Sequence, residues 1–299
     1  WIPLNDDEVT DAPVAPPTQK AIFGYGYVSG IVSLTNLVSS SGVVATDVTG
    51  VGTARQGLAA AGYGTDKAIF GYGNSGSLSS LSNLVSSSGV VASDVTGVGT
   101  ARNYVAAAGY GTDKAIFGYG ETDADVSMTN LVSNSGVVAT DTTGVGTARR
   151  ELAASGYGGD KAIFGYGINP AVSITNLVSN SGVVAADTTG VGTARADLAA
   201  AGYGGDKAIF GYGGSSVSLT NLVSNTGVVG SDVTGVGTAR YALAAASYGG
   251  DKAIFGYGYN GSNLSITNLV SSSGVVASDT TGVGTARRRL AAAGYSISA

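Results

Sequence analysis

Apolar residues along the chain come in short alternating runs, broken every few positions by Gly, Ser, Asn or Asp, and the same run returns six times. Lys-Ala-Ile-Phe-Gly-Tyr-Gly starts at Lys20, Lys67, Lys114, Lys161, Lys207 and Lys252, a spacing of 45–47 residues. A second anchor, Gly-Val-Gly-Thr-Ala-Arg, ends at Arg55, Arg102, Arg149, Arg195, Arg240 and Arg287. Alternation between turn residues predicts strands, four to each repeat. They are the Lys-Ala-Ile-Phe run, a Ser-Leu-Thr-Asn-Leu-Val run, a β-branched Gly-Val-Val-Ala run and an Ala-Arg-x-x-Leu-Ala-Ala-Ala run. Leu-Ala-Ala-Ala has good helix propensity, but Gly-Tyr-Gly closes it too soon, and small residues suit an inner strand where sheets converge. Four strands per repeat of this length predict the blades of a β-propeller. Both faces of the strands are apolar, so one repeat alone has nothing to bury itself against.

The phase of the repeats predicts how such a ring closes. The chain enters its first repeat at the second strand, Lys20, and the missing inner strand stands at the other end, Ala286 to Tyr295. The two terminal strands would share one blade and leave no open edge.

The glycine-rich stretch from Thr49 to Gly73 contains Gly-x-Gly pairs and nearby cations, which raises a phosphate loop as an alternative. Such a loop needs a helix after the glycines. Strands follow here, so the glycines read as turns and close approaches.

The motif Thr-Ala-Arg-Gln-Gly-Leu-Ala-Ala-Ala-Gly-Tyr-Gly-Thr-Asp-Lys-Ala-Ile-Phe-Gly-Tyr-Gly, Thr53 to Gly73, resembles the central phrase of the Kelch repeat. Gly-Tyr-Gly replaces the family's glycine doublet, and its later Trp is absent. The resemblance covers residues 20–295 and implies an all-β, six-bladed Kelch-like β-propeller with four-stranded blades, a fold used mostly for binding. The near-identical repeats also resemble repeat proteins encoded by tailed bacteriophages. Residues 20–299 form the propeller on this reading, and residues 1–19 form an extended, Pro-rich acidic arm. Its apolar tip, Trp1, Ile2 and Leu4, is a candidate for docking onto another subunit in a homo-oligomer.

Composition narrows the function. Charged residues make up only 12%, about half the usual share, and the net charge is −5. An acidic balance speaks against nucleic acid or an anionic membrane as partner. Neither Cys nor His occurs, so no metal site, cofactor or catalytic residue is proposed from the usual ligands and bases. Asp47, Asp94, Asp141, Asp187, Asp232 and Asp279 recur eight positions before the repeated Arg, as expected of Asp–Arg pairing or a turn cap. The six repeated Lys read as a solvated ring.

Copies differ most in two places: the loop after Gly-Tyr-Gly, which carries all the length variation, and the residue pair after each Arg. Antiparallel strands put both on one rim and leave the other uniform. Variable loops on a rigid scaffold suit recognition, and Tyr and Arg are frequent anchors. Candidate ligand-binding residues are therefore Tyr27, Tyr104, Asp123, Arg150, Tyr241, Tyr259, Asn260 and Arg288. The expected function is a non-enzymatic structural or attachment module of an extracellular or virion assembly. Its partners would be protein subunits of that assembly or a cell-surface receptor or glycan. The alternatives are a carbohydrate-active propeller enzyme, using carboxylates such as Glu121, Asp123 and Asp125 or Glu151 and Asp197, and an engineered consensus repeat.

Overall fold

The computed structural model describes residues 18–168 and 170–298, all of them strand, turn or loop. The chain opens with β1 (Lys20–Tyr27) and β2 (Ile31–Val38). Triplets follow: β3 (Ala59–Tyr63), β4 (Lys67–Gly71) and β5 (Ser82–Val85), then β6 (Ala106–Tyr110), β7 (Lys114–Gly118) and β8 (Thr129–Val132). Next come β9 (Ala153–Tyr157), β10 (Lys161–Gly165) and β11 (Thr175–Val178), then β12 (Ala199–Tyr203), β13 (Lys207–Gly211) and β14 (Thr220–Val223). The last are β15 (Ala244–Tyr248), β16 (Lys252–Tyr259) and β17 (Asn263–Val270), and β18 (Ala291–Tyr295) ends the series. They make six separate three-stranded antiparallel sheets, with the Lys-Ala-Ile-Phe strand always in the middle.

The sheet β18-β1-β2 joins the two ends of the sequence, with Lys20 opposite Tyr295 and Gly24 opposite Ala291. Thr18 and Gln19 already belong to this assembly: Gln19 N donates to Ser296 O at 2.7 Å, and Gly250 N donates to Thr18 O at 3.0 Å. The arm's predicted docking residues, Trp1, Ile2 and Leu4, lie outside the described residues.

Four strands per repeat are expected from the alternation, and the sheets hold three. The Gly-Val-Val-Ala run lies beside β2 but touches it through two isolated bridges, Val38 with Val44 and Thr35 with Val48. Three steps along β2 face four along its neighbour, so one residue is left over and the ladder breaks as at a bulge. Asn36 fills the gap, its Nδ2 donating to Ala45 O at 3.0 Å and to Asp47 Oδ1 at 2.9 Å. The same pair of bridges recurs in every repeat.

Apolar cores lie between neighbouring sheets, six in all, and the last joins β15-β16-β17 to β18-β1-β2. Sheets approach tightly where the central strand's Gly meets a Phe: a Cβ on Gly24 would sit 2.6 Å from Phe70 Cζ, and one on Gly118 2.7 Å from Phe164 Cζ. The inner strands β3, β6, β9, β12, β15 and β18 carry small residues because they surround a central cavity of about 270 Å³, lined by alanines and glycines of all six sheets. Along its rim runs a circle of backbone hydrogen bonds from sheet to sheet, Gly64 N to Asp113 O, Gly111 to Asp160, Gly158 to Asp206, Gly204 to Asp251, Gly249 to Gln19 and Ser296 to Asp66, at 2.7–3.0 Å.

The repeated Arg is a buried bolt between sheets. Arg102 is fully buried. Its guanidinium stacks 4.3 Å from the Tyr72 ring, while Nη2 donates to Asn130 Oδ1, Nε to Tyr119 O and Nη1 to Thr100 O, at 2.5–3.1 Å. The recurring Asp does pair with a repeated Arg, but with the one before it in sequence: Asp141 lies 3.6 Å from Arg102 and Asp94 3.5 Å from Arg55. The ring comes round again at Arg287, which faces Asp47. Asp141 Oδ2 also accepts from Thr100 Oγ1 at 2.6 Å. Burial raises the affinity of such an Asp for a proton, but the bonds from Thr and Asn and the nearby Arg outweigh it and hold the carboxyl below its ordinary range. Five of the six lysines of the uniform rim pair with the Asp before them, as Lys67 does with Asp66 at 2.7 Å, and are partly exposed, while Lys20 follows Gln19 instead.

Candidate functional site

The two variable sets meet on one rim. In five of the six repeats the first residue after the Arg forms an isolated bridge with the residue after Gly-Tyr-Gly: Tyr27 with Arg288, Gln56 with Asn74, Asn103 with Glu121, Arg150 with Ile168 and Tyr241 with Tyr259; in the sixth, Gly214 N donates to Ala196 O at 2.7 Å. The loops differ in height. In the sheets β15-β16-β17 and β18-β1-β2 the outer two strands run eight residues each and project as hairpins, while the other four sheets stop at strands of five and four. Asn263 Nδ2 ties the two long hairpins together by donating to Val28 O at 2.9 Å.

On those hairpins four of the sequence candidates come together. Arg288 lies 4.3 Å from the Tyr259 ring and 5.1 Å from the Tyr27 ring, and Tyr241 meets Tyr259 edge-on at 5.5 Å. All four side chains are half-buried, so each ring keeps one side against the protein and another open to a partner. Asn260 stands exposed at the tip of the β16–β17 hairpin.

The other candidates fall elsewhere. Arg150 is tied to Asp125 at 2.8 Å and to Glu121 at 3.5 Å. That pairing occupies the guanidinium and engages two of the three carboxylates in the loop Glu121 to Asp125. Asp123 is exposed in the same loop, away from the tyrosines of the hairpins.

Tyr104 belongs to a second group, at the axis. The second residue after each Arg — Gly57, Tyr104, Glu151, Asp197, Ala242 and Arg289 — adopts φ of 52–61°, the left-handed region. Five backbone bonds link five of the six steps around the axis: Tyr104 N donates to Gly57 O, Asp197 to Glu151, Ala242 to Asp197, Arg289 to Ala242 and Gly57 to Arg289, at 2.7–3.0 Å. The six residues surround a cavity of about 70 Å³. Burial raises the Glu151 carboxyl to about 7, helped by the Asp197 charge and opposed by Arg150 and Arg289. Burial raises Asp197 as well, against the pull of Arg289 and Arg288. Arg289 crosses to the face of Tyr104, 5.0 Å away.

Sequence reasoning missed Arg289 and gave the axial acids only an enzymatic role. The signal was there, since both residues after each Arg vary, but strand alternation does not tell that the second one turns left-handed and faces the axis. Among the described residues, no group of three or more His, Cys, Asp or Glu side chains is placed to hold a metal ion. Compared with known proteins, the chain matches no protein-family model and no curated protein.

Proposed function

We propose that the chain is a Kelch-like six-bladed β-propeller in which the fourth strand of each blade is the bridged run beside β2 and its equivalents. On this reading it works as a non-enzymatic attachment or structural module of an extracellular or virion assembly. It recognises a surface glycan or receptor through the variable rim. The observation that carries the reading is the stack of Tyr27, Arg288, Tyr259 and Tyr241 on the two raised hairpins. Stacked tyrosines with a guanidinium between them offer rigid apolar faces and hydrogen-bond donors at low entropic cost. The other rim is built from repeated turns and paired lysines, which offers no comparable individuality.

The carbohydrate-hydrolase alternative would use Glu151 and Asp197, and their cavity argues against it. At about 10–15 Å³ for each water-sized position, about 70 Å³ holds on the order of five heavy atoms. A pair of sugar rings flanking a scissile bond needs several times that space.

The test is a glycan array and a receptor-cell binding assay with the Tyr27→Ala, Tyr241→Ala, Tyr259→Ala triple variant. Binding should be lost while the melting temperature stays near that of the parent. If binding survives the triple change but is lost in Lys67→Ala, Lys114→Ala, Lys161→Ala, recognition lies on the other rim. Release of reducing ends from polysaccharide would replace the binding reading with a hydrolase.

A further inference from the structure

The axial cavity does not belong to the stack on the raised hairpins, and its own chemistry is uneven around the circle. Starting from Gly57, the order of side chains is none, phenol, carboxylate, carboxylate, methyl, guanidinium. Glu151 therefore stands three places from Arg289, across the axis, with Asp197 beside it. Arg289 is drawn to the Tyr104 ring on the near side. It passes over Gly57, where even a Cβ would meet the Tyr104 ring at 3.3 Å. Among the described residues, neither acid closes an ion pair with Arg289 within 4.0 Å. Opposite charges thus face one another across a cavity of about 70 Å³ without meeting, held apart by backbone that is hydrogen-bonded along five of the six steps of the rim.

A gap of that kind is complementary to a molecule that carries both charges itself. We propose that the axial cavity of the variable rim binds a small zwitterion of the α-amino-acid class. Its ammonium lies between Glu151 and Asp197, and its carboxylate lies on Arg289. Space for about five heavy atoms matches glycine and excludes bulky side chains. Tyr104 fixes Arg289 by stacking and so sets the distance between the two poles; it is a positioning residue. Ala242 closes the far wall without adding a charge.

The protonation of the acids supplies a second handle. Near neutral pH Glu151 is still partly protonated, and burial pushes Asp197 beside it in the same direction. Glu121, Arg150, Arg288 and Arg289 are the charged groups around the two acids. An ammonium arriving between the carboxylates displaces the proton on Glu151, so affinity rises with pH up to about 7, by as much as about tenfold per unit if one proton leaves, and then levels.

The experiment is isothermal titration of the full chain with glycine, methylammonium and acetate in separate runs, in buffers of different ionisation heat. Glycine should bind with a proton released, while methylammonium and acetate, each offering one pole, bind at least tenfold more weakly. Glu151→Gln with Asp197→Asn, and separately Arg289→Met, should each weaken glycine at least tenfold, with circular dichroism confirming the fold. Leucine should fail where glycine succeeds. The proposal is overturned if glycine gives no saturable heat, if methylammonium binds as tightly as glycine, or if the folded Arg289→Met variant keeps its affinity. Loss of glycan binding in the hairpin variants with glycine binding intact would show that the two sites stand or fall separately.

Discussion

At the scale of single residues, the repeated Arg decides more than its share of the stability. Arg102 leaves water completely, and its charge is met by Asn130, two carbonyls, the Tyr72 face and Asp141 at 3.6 Å. Arg102→Ala would orphan Asn130 Oδ1 and open a void, at an expected cost of about 3–5 kcal/mol, read from the midpoint of chemical denaturation. Arg102→Lys restores the charge but not the planar fork, so it should recover only a fraction of that loss. The recurrence of Asp and Arg was visible in the sequence. That each Asp serves the preceding repeat was not, because spacing along the chain carries no information about which neighbour a side chain leans toward. Glu151 gives a second residue-scale prediction, with the opposite electrostatic sense. Its folded-state carboxyl holds a proton up to about 7, against 4.5 for the free group, so the folded chain binds more protons across that interval. Stability therefore falls as pH climbs through the window and stays flat above it. Glu151→Gln removes this slope: its melting temperature should gain on the parent between pH 5 and pH 8, and a gain at pH 5 with none at pH 8 would refute the assignment.

At the scale of elements, what the sequence reveals and what it hides follow one physical line. The three strands of each sheet were legible because they pair without interruption, and period-2 alternation reports just that. The fourth run carries the same alternation, yet one additional residue between Val44 and Val48 throws its register out, and nothing in its β-branched composition marks the spare position. The Gly-Tyr-Gly segment hid a second departure. Tyr25, Tyr72, Tyr119, Tyr166, Tyr212 and Tyr257 all sit at φ of 63–65°, a conformation unfavourable for a side chain of this size. Each is kept there by its ring, clamped between an Arg and the Phe of the next sheet, as Tyr119 is between Arg149 at 4.4 Å and Phe164 at 5.1 Å. The glycine one place earlier exists to admit that Phe. Gly118→Ala should thrust a methyl into Phe164 and the Thr129 methyl, costing about 1–3 kcal/mol in thermal or chemical unfolding. Full stability in the variant would mean the sheets have slack at this contact.

At the scale of the whole molecule, the shared sheet β18-β1-β2 is where the circle is made or lost. The phase of the repeats made it legible in advance, since six central strands need six inner ones. Removing residues 285–299 deletes β18, Arg287 and the bonds from Thr285 to Asp47 in one step. The free edge of β1 should then recruit other chains, and light scattering should show oligomers or aggregates where the parent gives one species. A truncated chain that stays compact and equally stable would mean that β18 is dispensable. The variable rim was legible as a surface but not as a site. Which loops rise, which tyrosines stack and which acids turn to the axis depend on strand length and left-handed backbone, and both emerge only when all six sheets are in place.

The same shared sheet has a mechanical consequence. Lys20 faces Tyr295, and Gln19 bonds to Ser296, so the chain enters and leaves this body side by side, at the edge of β1 and β18 remote from the raised hairpins. A pull on whatever precedes residue 18 and follows residue 298 would act on the two strands from one end. The five facing residue pairs would separate in succession, as a zipper opens, rather than all resisting together as they would if dragged lengthwise. The fastening that completes the circle would thus yield to such a pull one residue pair at a time.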